Sequence, residues 1–304
     1  MKPLQYAFFL GCLIPARFPQ LEYLARRVFP KLGIELVDVP GFSCCPDPAK
    51  FRGADRLTWL ALAARNLSIA ARSDLPLLTL CPACAATLAT AKNELHKNPA
   101  LLDKIAPVLD ECGIETALPS EVKHFIKALY EDLGLEKLKA AVSTPLSGLA
   151  LASHSGCHEN NPVEIMQFDN PFNPVKTEDI LSVLGARVID YQEKSLCCGS
   201  TLMTDGAVDN SLKPVVRKVE DMHASGADAM AVGCASCFQQ YDTGQMLASR
   251  KGISQVTLPV FHLVELLALA LDVDFPALGR SHHKISLTGL IPESGRADGG
   301  KHVS

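Results

Sequence analysis

Short apolar runs alternate along this chain with longer stretches in which apolar residues recur every three or four positions, and the whole order occurs twice. Leu4–Leu10 reads as a strand and Leu21–Lys31 as a helix, with Leu21, Leu24, Ala25 and Val28 on one face. Ile34–Val39 reads as a second strand, followed by a loop holding Gly41, Ser43, Pro46 and Pro48. Asp55–Arg72 has helical periodicity through Leu57, Leu60, Ala61, Ala64, Leu67 and Ile69. A third strand is expected over Leu75–Leu80, then helices over Ala83–Leu95, Leu101–Glu111 and Glu121–Leu133. The second half predicts strands at Gly148–Ser153, Ala186–Tyr191, Asp228–Val232 and Val256–Pro259. Helices are expected at Thr177–Leu184, Asp209–Ala224, Ser236–Met246 and Phe261–Leu271. From Gly279 the chain turns polar and rich in Gly, His and Ser, and a mobile tail is expected there.

Strands alternating with helices imply parallel sheets built from βαβ units. The expected class is therefore α/β: two duplicated Rossmann-like units, each with its ligand site at the carboxyl edge of its strands. Ser143, Thr144, Pro145 and Gly148 interrupt the helical pattern between the halves, giving units at 1–145 and 146–278 and a tail at 279–304. The composition, 48% hydrophobic but only 6% aromatic, favours an aliphatic core of helices on parallel strands over an aromatic-rich β-sandwich. A formal net charge of -4 supplies no basic footprint for nucleic acid. The most apolar stretch, Leu258–Leu271, is broken by His262 and Glu265 and falls short of the roughly 18–20 residues a membrane span requires. Phe8-Phe9-Leu10-Gly11-Cys12 superficially matches a lipoprotein cleavage site, but the apolar segment before it is too short for a signal peptide. A buried first strand ending at Cys12, in a cytoplasmic protein, is the better reading.

Eleven cysteines in a chain of 304 residues with no export signal point to metal rather than to a disulfide framework. In the first half they are Cys12, the pair Cys44-Cys45, and Cys81-Pro82-Ala83-Cys84; in the second, Cys157, Cys197-Cys198, and Cys234-Ala235-Ser236-Cys237. The pairs and the Cys-x-x-Cys motifs are both offset by 153 residues, so ten of the eleven obey one repeated pattern. Each group follows an expected strand, and both Cys-x-x-Cys motifs open a helix, whose free N–H groups and partial positive charge stabilise thiolates. Structural zinc takes four ligands and leaves one cysteine per repeat unexplained. A thioredoxin-type dithiol accounts for Cys81 and Cys84 alone. Cys112, outside both repeats, reads as a buried inert cysteine. Iron–sulfur binding takes the remaining weight, and a fifth cysteine beyond the usual four points to an unusual cluster.

These residues resemble the duplicated CCG domain, and the stretch from Met1 to about Gly279 is similar to the family of heterodisulfide reductase B-type subunits. The resemblance is carried by Tyr6–Cys12, Ser43-Cys44-Cys45-Pro46, Thr58-Trp59-Leu60 to Asn66, and His124-Phe125 to Asp132. In the second half it is carried by Gly156-Cys157-His158, Cys197-Cys198-Gly199, and Gly233-Cys234 to Tyr241-Asp242. It implies two noncubane [4Fe-4S] clusters facing each other across a disulfide site. The first would belong to Cys12, Cys44, Cys45, Cys81 and Cys84, the second to Cys157, Cys197, Cys198, Cys234 and Cys237. Pro46 stands where the family's motif has glycine. Reducing a disulfide takes two electrons and two protons; His154 and His158, flanking Cys157, are the candidate proton donors, against the competing reading that each only hydrogen-bonds backbone. The chain has no Gly-x-Gly-x-x-Gly fingerprint and no third cysteine set, so electrons are expected from partners. The resemblance makes these a ferredoxin-like C-type subunit and a flavin-containing A-type subunit. A second function class stays open: an electron-relay CCG protein of the kind that serves lactate or glycolate oxidases.

Overall fold

The protein is described from a computed structural model, covering residues 3–48, 51–274 and 281–291. Two separate four-stranded sheets form, and every pairing within them is parallel. The first holds β1 (Leu4–Phe9), β2 (Ile34–Val37), β3 (Leu77–Thr79) and β4 (Val122–His124) in the order β2-β1-β3-β4. The second repeats that order as β6-β5-β7-β8, from β5 (Ala150–His154), β6 (Arg187–Val188), β7 (Ala229–Val232) and β8 (Val260–His262). The helices of eight or more residues are α1 (Pro19–Lys31), α2 (Arg56–Ala71), α3 (Pro82–Lys97), α4 (Pro99–Glu111), α5 (Lys176–Val183), α6 (Val208–Ala224), α7 (Ala235–Arg250) and α8 (Leu263–Ala270). This is the duplicated α/β architecture that the sequence predicts.

Two elements differ from expectation in the same way. β4 occupies the start of the helix expected over Glu121–Leu133, and β8 begins where the strand expected over Val256–Pro259 should have ended. Both are three-residue edge strands ending in histidine, too short for a period of two to register. They exist because β3 and β7 offer a free edge: Thr79 pairs with His124, and Val232 with His262.

Alternation along β1 sends Tyr6 and Phe8 to one core and Ala7 and Phe9 to another. The first core is common to both halves. Helices α1 and α8 pack together within it, and Phe125 lies edge-on to His124 at 4.6 Å and stacks on His262 at 5.6 Å. The second core lies under α2 and α4, around Trp59, Leu60, Leu67 and Leu88.

Part of the segment expected to be a mobile tail is instead packed. Leu287 and Ile291 are buried in the shared core, and the Asp242 carboxylate accepts from the backbone N–H groups of Lys284 and Ile285. Residues 279–280 and 292–304 lie outside the described residues. Removing the Asp242 acceptor leaves two N–H donors unsatisfied, at a cost of about 1–3 kcal/mol each where they are buried. Asp242→Ala should therefore free this segment, and limited proteolysis should cut within residues 281–291 while the remainder survives.

Candidate metal centre

Each sheet ends its strands on one side, and the cysteines occupy that side. After β1, Gly11 turns the chain at φ +70°, and Cys12 precedes a short helix at Leu13–Arg17. Cys44 and Cys45 lie in the loop after β2, Cys81 is the N-cap of α3, and Cys84 sits in its first turn. The second half repeats this with Cys157 after β5, Cys197 and Cys198 after β6, and Cys234 as N-cap of α7. Burial repeats too: Cys12, Cys44, Cys157 and Cys197 are exposed, whereas Cys45, Cys81, Cys84, Cys198, Cys234 and Cys237 are buried. Cys112, expected to be buried, is exposed at the end of α4, because the helix stops there and turns through Gly113 at φ +69°.

No cysteine is bridged, yet the sulfurs converge. The Cys12 and Cys44 sulfurs are 3.7 Å apart, and those of Cys198 and Cys237 3.4 Å. Thiols this close share protons, so some are held ionised at the expense of others. Cys45 is pulled down to about 6 by hydrogen bonds from Cys44 and then Cys84. Cys197 is pulled far below the thiol range by Cys157 and then Cys198. Cys12 is pushed far up by its hydrogen bond with Cys44, Cys157 by its bond with Cys197. Across the seam between the halves, Cys81 is drawn down first by a hydrogen bond from Cys234 and then by one from Cys84. The two halves close on each other here: a Cβ on Gly156 would lie 3.4 Å from Pro82 Cγ and 3.5 Å from Cys234 Cβ.

The donor set fits an iron–sulfur group. Five unbridged sulfurs gather per set, beside glycines at which a side chain would crowd the ligands or the facing loop. A Cβ on Gly11 would stand 2.9 Å from the Cys84 sulfur. On Gly233 it would stand 2.4 Å from Ile126 and 2.7 Å from the Glu159 carboxyl. A cavity of about 120 Å³ opens at the seam, lined by Pro82 and Ala83 of the first half and Cys157, His158, Cys197 and Ser236 of the second.

The two candidate histidines part company. His158 lines that cavity with Nδ1 3.5 Å from the Cys157 sulfur. His154 is buried, and its Nδ1 accepts from Lys218 Nζ at 3.0 Å, with the Tyr241 hydroxyl 3.5 Å away. Burial, and then the Lys218 charge, hold its pKa well below the ordinary value. One ring nitrogen of His154 and the sulfurs of Cys198 and Cys237 lie within 4.8 Å of one another.

Other groups at the centre were not singled out from sequence. His124 Nε2 reaches across the seam to the Gly233 carbonyl at 3.1 Å, and burial lowers its pKa to about 4. Burial raises Glu159 to about 8, so it is mostly protonated at neutral pH, and its Oε1 has no partner among the described residues. Lys218, with no exposed surface, is lowered to about 8 by burial. Its signal was available: a lysine in the apolar stripe of Leu212, Val215, Val219 and Met222.

The cysteine-rich CCG domain family matches residues 6–89 and 151–242. The chain is 36% identical over 274 residues to the B subunit of the ferredoxin:CoB-CoM heterodisulfide reductase of Methanosarcina mazei, covering 90% of this chain and 91% of that one. It is 32% identical over 286 residues to the 8-methylmenaquinol:fumarate reductase membrane anchor subunit of Wolinella succinogenes, covering 94% and 99%. Among the described residues, no helix is long and apolar enough to cross a membrane. A crystal structure of a hypothetical protein from Helicobacter pylori shares the fold, with TM-score 0.73 at 15% identity over 94% of this chain; this chain spans 53% of that one.

The repeat assigns ligands that substitution separates. Cys112→Ser should keep the full iron and acid-labile sulfide content, whereas Cys81→Ser should lose or rearrange the first set's share only. Gly11→Ala, strained at positive φ and driven against Cys84, should resemble Cys81→Ser. Equal iron loss from Cys112→Ser and Cys81→Ser would show that the ligands are misassigned.

Proposed function

The chain belongs to the CCG cysteine-rich domain family as a protein of the heterodisulfide reductase B-subunit type, and on that premise we propose that it is the catalytic iron–sulfur subunit of a disulfide-reducing complex. Residues 1–145 and 146–278 are read as its two iron–sulfur repeats. The observation that carries the proposal is the meeting of the two cysteine-bearing edges at one seam, where Pro82 and Ala83, beside Cys81 and Cys84, line one cavity with Cys157, Cys197, Cys198, Cys234 and Cys237. A substrate held there lies within reach of both sets.

The reaction is R–S–S–R′ + 2 e⁻ + 2 H⁺ → RSH + R′SH, or its reverse. Two noncubane [4Fe-4S] clusters, when bound, would supply one electron each. The rest falls to the chain. Cys12, Cys44, Cys45, Cys81 and Cys84 hold the first cluster, and Cys157, Cys197, Cys198, Cys234 and Cys237 the second. The N-termini of α3 and α7 direct backbone N–H groups at these anionic sites. His158, at the cavity and beside Cys157, would protonate a departing thiolate; His154, buried and bonded to Lys218, would exchange protons with its neighbours there. Electrons come from partners, a ferredoxin-like C-type subunit and a flavin-containing A-type subunit. The similarity to a component of a fumarate reductase supports a second reading, in which the chain relays electrons without touching a sulfur substrate.

Anaerobically prepared protein should hold about eight iron and eight acid-labile sulfide, two four-iron clusters' worth. Removing them should lower the stability of the fold, because metal binding and folding are coupled in such sites. The EPR signal should change on adding thiol or disulfide. In the reconstituted complex, Cys45→Ser and Cys198→Ser should each abolish disulfide reduction, and the double variant should be no worse. If a folded Cys198→Ser protein lacking only the second cluster keeps most of its activity, the relay reading replaces this one.

A further inference from the structure

The duplication gives each residue around one cysteine set a counterpart around the other, and the counterparts differ in charge. Phe9 pairs with Thr79, two residues before Cys81, and His154 pairs with Val232, two residues before Cys234. His154 is therefore the counterpart of Phe9. Leu88 and Tyr241 each lie seven residues beyond these cysteines, both buried. Asn66 and Lys218 each lie ten residues into α2 and α6, both without exposed surface. The first set is thus flanked by Phe9, Leu88 and a neutral amide, the second by an imidazole, a phenol and an ammonium.

The neutral side is settled. Asn66 Oδ1 accepts from Ser43 N–H, and its Nδ2 donates to the Cys44 carbonyl, each at 2.9 Å. The nearby cation, Arg65, reaches the Gly41 carbonyl from a half-exposed position, where water screens its charge. The charged side is not settled. Lys218 donates to His154 Nδ1 and to the Lys194 carbonyl, both at 3.0 Å, and its Nζ stands 5.6 Å from the centroid of the Tyr191 ring. The neighbouring cations already have acids: Lys194 pairs with Glu178 and Asp190, and Arg217 with Glu193. Lys218 has no carboxylate at ion-pair distance among the described residues. Its partner His154 has one ring nitrogen within 4.8 Å of the Cys198 and Cys237 sulfurs, and Glu193, already paired with Arg217, attracts it from beyond ion-pair distance. A buried ammonium with only neutral hydrogen-bond partners is costly, and the anion that would offset it is the thiolate-bound cluster beside it.

We infer that Lys218, with His154 between it and the sulfurs of Cys198 and Cys237, is a positioning residue that makes the second cluster the more readily reduced of the two. The inference rests on the cluster reading above. One-electron reduction makes a cluster more negative, and a fixed cation in a low-dielectric surrounding stabilises that state and raises its potential. The first electron delivered to the chain therefore settles at the second set.

The test is an EPR-monitored redox titration, with dithionite as reductant, of protein loaded anaerobically with iron and sulfide. Iron and sulfide content comes first, and its absence counts against the cluster reading rather than against Lys218. With both clusters present, two distinct midpoints are expected, and the single midpoint left in Cys81→Ser should be the higher. Lys218→Met should move the higher midpoint down and leave the lower in place, whereas Lys218→Arg should hold both. If Lys218→Met sheds iron, Lys218→Gln takes its place with the same outcomes. One shared midpoint, or a Lys218 variant that moves both midpoints equally or neither, overturns the inference.

Discussion

Sulfur atoms held 3.4–3.7 Å apart cannot all carry charge at neutral pH unless a cation lies among them. That constraint governs the rest of the structure. With thiols alone, each set divides its protons, some sulfurs driven down and their neighbours driven up. Bound iron would remove the conflict, since a sulfur that ligates it needs no proton. The helix N-termini at Cys81 and Cys234 act in the same direction, placing unsatisfied N–H groups where the negative charge must sit.

The titratable groups buried at the seam are held mostly neutral. His124 and His262 are kept uncharged by burial, at about 4 and about 3, and Glu159, raised to about 8, mostly keeps its proton at neutral pH. Burial of these three groups leaves electrostatic interactions among them stronger than at a surface. The shared core maintains this: α1 against α8, and Phe125 against both histidines, fix the halves so that the first turn of α3 and Cys234 face one cavity. Gly156 and Gly233 let the facing loops close, because a side chain on either would press on Glu159.

Duplication supplies two similar sites, and departures from symmetry make them different. The cysteine pattern and its burial are the same in both halves. The layer behind the cysteines is not, with Phe9, Leu88 and Asn66 on one side and His154, Tyr241 and Lys218 on the other. Two sites with different surroundings need not share a redox potential, since a buried charge beside one of them acts on it alone.

The α/β class, the repeat and the cysteine pattern are all legible in the order of residues. Apolar periodicity is a local property, and so is the spacing of cysteines along the chain. The long helices are legible too, to within a few residues. Everything else waits on the folded chain, because it depends on what lies opposite. β4 and β8 are strands only because β3 and β7 present free edges. Residues 281–291 are packed only because Asp242 and the shared core receive them. His154 and His158, four residues apart in sequence, separate into a buried group and a cavity-lining one because β5 ends at the first of them. Lys218, Glu159 and His124 acquire their roles from burial against the other elements, and burial of a charge is not written in the residue that carries it.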